Sequence, residues 1–242
     1  MCTVSFIPVR DKYYITSNRD EKLVRKPALP PAAYYIDDSK LVFPKDADAG
    51  GTWIAINENG NAAVLLNGAF MAHTPQGPYA KSRGLIFLDV IKNELPVKHF
   101  LDMDLEKIEP FTLVLFDDNN LYECRWDGKK KHCRQLKTHR AYIWSSATLY
   151  TEEVVKKREY WFAKFLNKNP HPDQNDILGF HHFTGDGDAA NDLLMSRGKL
   201  YSTVSITSIA LTDEKASMEY VDLKDNTRSK SELNFISLYQ VA

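Results

Sequence analysis

The order of strand-like and helix-like segments predicts an α+β fold. Strand patterns open and close the chain, and the helical sequence falls into two batches between them. Runs of strands separated from runs of helices favour antiparallel layers over a doubly wound parallel sheet. The 242 residues contain no internal repeat and no low-complexity linker, so we expect one domain over residues 1–242.

The first third of the chain contains two predicted hairpins. CTVSFIPV and KYYITSN alternate β-branched and aromatic residues around a polar turn at 10–12. The proline-rich stretch at 27–31 predicts a break in regular structure. TWIAIN and AAVLLN flank Asn59-Gly60, a pair typical of hairpin turns. Ser82 is then the expected N-cap of a helix over RGLIFLDVIKN.

The rest of the chain alternates strand and helix predictions. FTLVLF, LYECRW and HCRQLK indicate a second group of strands. The longest predicted helix covers Thr151 to Asn167, where apolar residues share one face and lysines the other. A shorter helix is predicted from Asp176 to His182. LYSTVSITSIAL, ASMEYVDL and LNFISLYQ predict the closing strands.

Composition excludes several classes of function. Hydrophobic residues make up 43%, enough for a sizeable core, and 31 basic residues balance 32 acidic ones. This balance gives no electrostatic reason to expect nucleic acid or an anionic membrane as partner. No stretch approaches the roughly 20 apolar residues of a membrane helix, and the start lacks a signal-peptide pattern. Three cysteines fit a reducing compartment, so we expect a cytoplasmic protein. Cys124 and the His132-Cys133 pair lie on either side of a predicted hairpin turn, where opposed strands could form a metal site, but there is no fourth ligand and we expect structural thiols.

The second residue is the candidate for chemistry. If Met1 is removed, Cys2 carries a thiol and a free α-amino group on one residue. An α-amino group has an unperturbed pKa of about 7.7–8.0, so it can accept the thiol proton near neutrality and leave a nucleophilic thiolate. The alternative is that Cys2 is an ordinary small residue near a terminus.

A charged segment follows the second predicted strand. Arg19 would favour a thiolate and orient a substrate carbonyl or carboxylate, and Asp20 could hold a protonated amine by a charge-assisted hydrogen bond. The alternative is an exposed charged turn.

These segments together resemble a known family. The M-C-T start, N-R-D-E at 18–21, GGTWIAINENG at 50–60, LLNG at 65–68 and SRG at 82–84 are similar to the NRDE family, also called the transport and Golgi organisation protein 2 family. That family is related to the Ntn (N-terminal nucleophile) hydrolases, near the choloylglycine hydrolase and penicillin V acylase group. The resemblance implies a four-layer αββα sandwich of two antiparallel sheets and cleavage of non-peptide amide C–N bonds.

The resemblance also implies residue roles. Cys2 matches the nucleophile, Asp20 the acid that contacts its amine, and Arg19 the neighbouring arginine. Asn67 sits where relatives carry an asparagine of the oxyanion hole, which can supply a few kcal/mol of transition-state stabilisation. The other interpretation of Asn67 is a turn residue in Asn67-Gly68.

Two positions depart from the family pattern. Ser146 stands where relatives often carry an asparagine, and Val204 where they often carry an arginine. We hypothesise that Arg197, just before the strand of Val204, supplies the missing charge.

Other constellations predict less. His181-His182, with Asp186 and Asp188 nearby, lacks metal-ligand spacing and is interpreted as polar loop residues, so no metal is expected. No dinucleotide or phosphate loop is present, and no cofactor is expected. The segment carrying Phe70, Met71 and Tyr79 is either the lining of an acyl pocket or a surface loop.

The sequence thus predicts an N-terminal-cysteine hydrolase acting on a small-molecule amide or related acyl bond. The alternative is a non-catalytic lipid, acyl-CoA or haem binding or trafficking protein that keeps the fold.

Overall fold

The structure, a computed structural model, describes residues 3–236. Cys2 and residues 237–242 lie outside this range. In chain order the elements are β1 (Thr3–Val9), β2 (Lys12–Lys22), β3 (Leu29–Ile36), β4 (Ser39–Lys45), β5 (Ile54–Asn57), β6 (Ala62–Asn67), α1 (Arg83–Ile91), α2 (Pro96–Asp102), β7 (Phe111–Asp117), β8 (Asn120–Trp126), β9 (Lys131–Leu136), β10 (Tyr142–Ser145), α3 (Glu152–Lys168), α4 (Gln174–Phe183), β11 (Ser196–Arg197), β12 (Tyr201–Leu211), β13 (Lys215–Asp222) and β14 (Thr227–Asn234).

The strands form two antiparallel sheets. The first has the order β10-β1-β2-β12-β13-β14, with the short β11 beside β12, and the second runs β3-β4-β5-β6-β7-β8-β9. Helix α4 packs on β2 and β12, and α3 on β10, whereas α1 contacts β5 and β6, and α2 contacts β7 and β8. The sheets face each other, with β13 and β14 against β3 and β4. The predicted four-layer αββα sandwich is therefore confirmed.

The side chains of β1 alternate between the core that separates the two sheets and the helix layer formed by α3 and α4. Val4 and Phe6 belong to the apolar core between the sheets, where the Phe6 and Phe116 rings lie 6.3 Å apart. Thr3 and Ser5 point the other way and bond to residues of α3 and α4. Because successive side chains of a strand point to opposite faces, one face of the first sheet is apolar and the other carries hydrogen-bonding groups.

Local signals predicted the helix starts well. The Ser82 hydroxyl accepts from the Leu85 N–H at the start of α1, as expected. Thr151 caps α3, which begins one residue later. Helix α4 begins at Gln174, two residues earlier than predicted, because Asp173 forms a capping box with Asp176.

The predicted break at 27–31 is wrong for the second half of that stretch. Pro30 and Pro31 do not interrupt regular structure but lie in β3, which is an edge strand with a register shift between Leu29 and Ala32. An edge position tolerates proline because one side of the strand needs no N–H donors. The last described strand, β14, has the polar sequence TRSKSELN and includes Leu233 and Asn234 of the predicted LNFISLYQ; residues 237–240 of that prediction lie outside the described residues. Strand β14 is also an edge strand, so pairing with β13 rather than apolar alternation defines it. The β4, β10 and α2 segments were not predicted.

The prediction of two free thiols at Cys124 and Cys133 is also wrong. The β8–β9 register places these residues directly opposite each other, with Cα atoms 4.1 Å apart, and the structure joins them as a disulfide. Directly opposed side chains on antiparallel strands are close enough for such a contact; the sequence predicts the opposed strands but not the bond. Within residues 3–236, no helix is long and apolar enough to cross a membrane.

Candidate functional site

The Asn18–Asp20 segment is a buried part of a central strand rather than an exposed turn. Strand β2 lies between β1 and β12, so Thr3 pairs with Asn18 and Asp20 pairs with Thr203. Asp20 is only 3% exposed. Its two carboxylate oxygens accept hydrogen bonds from the Tyr150 hydroxyl, at 2.6 Å, and from the Thr203 hydroxyl. Both of these hydroxyl donors are neutral, and each of them restricts the orientation of the carboxylate.

Arg19 points to the opposite face of β2. Its guanidinium donates to the Asp46 carboxylate at 2.6 Å and lies 4.5 Å from the ring centre of Trp53. Arg25 also approaches Asp46, at 3.3 Å. A buried arginine that is paired and stacked is rigid, so Arg19 presents a fixed positive charge.

Asn67 is the last residue of β6 and lies beside a cavity that Arg19 also lines. It pairs with Phe111, and its backbone carbonyl accepts from the Ser146 hydroxyl at 2.8 Å. The turn follows at Gly68, whose φ of +79° is a left-handed conformation that glycine tolerates. Asn67 and Arg19 both line a cavity of about 610 Å³. The structure therefore brings these two predicted residues to one space.

Ser146 serves this arrangement as a support. It is fully buried, and its hydroxyl also contacts the Thr148 hydroxyl at 3.0 Å. Replacing Ser146 by alanine leaves the Asn67 carbonyl without this donor, and we expect the free energy of unfolding to fall by about 1–2 kcal/mol. Urea unfolding measures this loss. Ser145→Ala is the control, because Ser145 is partly buried on the same strand end; an equal loss in both variants would contradict the assignment.

The residues predicted to line an acyl pocket are divided between two cavities. Tyr79 lines the cavity of Arg19 and Asn67, whereas Phe70 and Met71 line a second cavity of about 880 Å³ that also includes Tyr150. Phe70 is 57% and Met71 75% exposed, so the loop lies at the surface and borders a cavity. That this cavity takes an acyl group stays a prediction. The two cavities flank Asn67-Gly68.

Arg197 lies near Tyr150, the residue whose hydroxyl donates to Asp20. Its guanidinium donates to the backbone carbonyls of Leu149, at 2.9 Å, and Ala190, at 3.1 Å. It lies 5.4 Å from the centre of the Tyr150 ring. Cys2 lies outside the described residues, so the hypothesis that Arg197 supplies the missing charge beside Cys2 stays a prediction.

Val204 lies at an irregularity of β12, between the residues opposite Asp20 and Arg19. It borders a small cavity together with Arg19 and Tyr220. Burial raises the pKa of the Tyr220 hydroxyl to about 12, so it is neutral at physiological pH.

Arg158 is the main site residue that the sequence prediction missed. It is fully buried on α3 and donates to the Thr3 hydroxyl at 2.5 Å. Its guanidinium lies 3.6 Å from the centre of the Tyr150 ring. The signal was its spacing: Arg158 falls four residues from Val154 and from Phe162, on the apolar face of the helix.

The interpretation of His181 as a polar loop residue is wrong, because His181 is fully buried in α4. Asn18 donates its amide to the carbonyls of His181 and Leu193, so its Oδ1 is left to accept from His181 Nδ1, at 2.5 Å. The Ser5 hydroxyl then donates to Nε2, at 2.8 Å. Burial, with the charge of Arg158 as a smaller cause, lowers the pKa of His181 to about 3. Over residues 3–236 there is no group of three or more His, Cys, Asp or Glu side chains that could hold a metal ion.

Solved structures of two hydrolases are similar to this fold. The N-acylethanolamine-hydrolyzing acid amidase ortholog of Caenorhabditis elegans matches with a TM-score of 0.59 and 11% identity, over 86% of this chain and 92% of that one. Conjugated bile acid hydrolase from Clostridium perfringens, in an arginine-to-leucine variant, matches with a TM-score of 0.57 and 11% identity over all of both chains. A cysteine-to-alanine variant of that hydrolase gives a TM-score of 0.54. At this identity the likeness shows the fold, which is that of the Ntn hydrolases.

The sequence itself matches a family. No curated protein matches it. The family model described as Transport and Golgi organisation 2 matches residues 1–183, which include β1, β2, Asn67 and Arg158. This match covers well over half of the 242 residues, and the chain belongs to the Transport and Golgi organisation 2 family.

Proposed function

We propose that the protein is an N-terminal-cysteine amidohydrolase acting on a small-molecule amide or related acyl bond in the cytoplasm. The observation that carries the proposal is the buried Asp20 carboxylate, held by two hydroxyl donors on a strand whose partner begins at Thr3, within an Ntn-hydrolase-like fold. Buried carboxylates held by hydrogen bonds at strand ends are suited to orient a neighbouring cation.

In the proposed reaction, removal of Met1 frees the α-amino group of Cys2. This amine takes the proton of the thiol, and the thiolate attacks the carbonyl carbon of the amide. The tetrahedral intermediate collapses when the ammonium returns its proton to the leaving nitrogen, and the acyl group stays on Cys2 as a thioester. The amine then deprotonates a water molecule, which attacks the thioester and releases the carboxylic acid and the thiol.

The described residues have separate tasks in this scheme. Asp20 orients the ammonium, and Asn67 together with a backbone N–H receives the oxyanion. Arg19, fixed by Asp46, favours the thiolate and orients the substrate carbonyl. Ser146 takes no direct part and holds the strand end of Asn67.

A second candidate is a non-catalytic protein that binds a lipid, acyl-CoA or haem. It is favoured by the cavity of about 880 Å³ with the exposed Phe70 and Met71 at its border, and by Val204 in place of a family arginine. Binding of a ligand in such a cavity needs no covalent step.

Mass spectrometry of the purified full-length chain separates the two candidates. The hydrolase predicts that Met1 is absent and that iodoacetamide at pH 7 labels Cys2 at least tenfold faster than Cys133 in the reduced protein, because a thiolate reacts and a thiol does not. Cys2→Ser removes the fast label and serves as the control. If Met1 is retained, or if Cys2 is labelled no faster than Cys133, the hydrolase is contradicted and the non-catalytic binding protein is the candidate that stays.

A further inference from the structure

Tyr150 joins the Asp20 carboxylate to two arginines. Its hydroxyl donates to Asp20 at 2.6 Å. The guanidinium of Arg158 lies 3.6 Å from the ring centre, and that of Arg197 lies 5.4 Å from it. Tyr150 and Arg158 are both buried, so the cation–π contact between them is not weakened by bulk water. The tyrosine ring therefore has little freedom to rotate its hydroxyl away from Asp20.

Arg158 connects this ring to the start of β1. Its guanidinium donates to the Thr3 hydroxyl and to the backbone carbonyls of Asn191, at 3.0 Å, and Asp192, at 2.7 Å. These acceptors are neutral, and over residues 3–236 Arg158 forms no ion pair with a carboxylate. Because no opposite charge in this range neutralises this buried cation, its electrostatic field acts on Tyr150 and on the first residues of β1.

We infer that Tyr150 and Arg158 are positioning residues of the amidohydrolase site: Tyr150 orients Asp20, and Arg158 holds the Tyr150 ring and the Thr3 end of β1 in one arrangement. This inference rests on the proposed function. In this arrangement Arg158 on α3 supplies the buried positive charge that the family pattern would put at Val204. Arg197 then acts as a second contact of the Tyr150 ring.

The inference has a defined chemical consequence. An ammonium group stabilises a thiolate on the same residue, and Asp20 in the correct orientation keeps that ammonium in place. Without the Tyr150 hydroxyl, Asp20 loses this hydrogen bond and turns more freely, so the amine deprotonates more easily. Less thiolate then forms at neutral pH, and the pH midpoint of Cys2 reactivity rises.

The test is the pH dependence of Cys2 alkylation by iodoacetamide, followed by peptide mass spectrometry in the full-length chain. For Tyr150→Phe we expect the midpoint to rise by about 1 pH unit and the rate at pH 7 to fall about tenfold, the size of one hydrogen bond to a charged group. The phenylalanine keeps the ring between the arginines, so this variant folds. Tyr160→Phe is the matched control, because Tyr160 lies on α3 and is largely exposed.

A second pair of variants tests the hydrogen bond from Thr203 to Asp20. Thr203→Ser keeps a hydroxyl and is expected to retain the wild-type midpoint, whereas Thr203→Val is expected to raise it. A merely structural role would lower the melting temperature in these variants without moving the midpoint.

The outcomes are distinct. A raised midpoint in Tyr150→Phe with an unchanged Tyr160→Phe supports the inference. A reactive wild-type Cys2 whose midpoint is the same in Tyr150→Phe overturns the inference and leaves the proposed function intact. A wild-type Cys2 that is no more reactive than Cys133 overturns the proposed function and the inference with it.

Discussion

Replacing Gly51 by alanine is expected to lower the free energy of unfolding by about 3 kcal/mol. A Cβ atom at this position would lie 2.6 Å from the carbonyl carbon of Gly84 and 2.9 Å from its oxygen. Both are backbone atoms at the start of α1, so no side chain can rotate away to make room. The Gly51 carbonyl also accepts from the Asp46 N–H at 2.8 Å, and Asp46 holds Arg19. The substitution therefore also loosens Arg19.

Gly179→Ala is the matched control for this prediction. Gly179 lies inside α4, and a Cβ there would have no neighbour within 4 Å. Alanine is favoured over glycine in a helix interior by about 1 kcal/mol, so this variant is expected to be more stable than wild type. Urea unfolding of both proteins measures the two changes. A Gly51→Ala protein as stable as wild type would show that the two segments do not pack closely.

Acidification is expected to destabilise the protein through His181. Its pKa is about 3 in the folded protein and about 6.5 when unfolded, so below pH 6.5 only the unfolded chain takes up the proton. The stabilisation is complete above pH 6.5 and falls by about 1.4 kcal/mol per pH unit below it, to a total loss of about 5 kcal/mol near pH 3. The physical cause is the burial of the ring, followed by the positive charge of Arg158.

The His181 prediction is measured as the slope of unfolding free energy against pH between 6.5 and 4. His181→Gln removes the titrating group, and its slope should be shallower than that of wild type by about 1.4 kcal/mol per pH unit. His171→Gln, at an exposed position, should keep the wild-type slope. Equal slopes in all three proteins would contradict a neutral, buried His181.

Local patterns were sufficient for most of the secondary structure. The first hairpin, the Asn59-Gly60 hairpin and the start of α1 depend on residues within a few positions of each other, so periodicity and capping groups predict them. The wrong break at Pro30 and Pro31 and the unpredicted residues 227–232 of β14 have a common cause. Both segments are edge strands, and an edge strand is defined by its neighbour rather than by its own pattern.

The contact between the GGTW and SRG segments could not be predicted from the sequence. GGTW and SRG lie about 30 residues apart, and only the fold shows that Gly51 and Gly84 touch. A motif in the sequence indicates that a residue type is required. The close backbone approach explains why that residue must lack a side chain.

By itself, the sequence determined the α+β class, the hairpins and long helix, and, through the resemblance, the family and the candidate residues Cys2, Arg19, Asp20 and Asn67. Only the tertiary structure decided what holds the described members of that set. Asp20 is oriented by Tyr150 and Thr203, which lie 130 and 183 positions away along the chain, and Thr3 by Arg158 at a separation of 155. Contacts at such separations depend on strand order and helix placement, which no local pattern encodes.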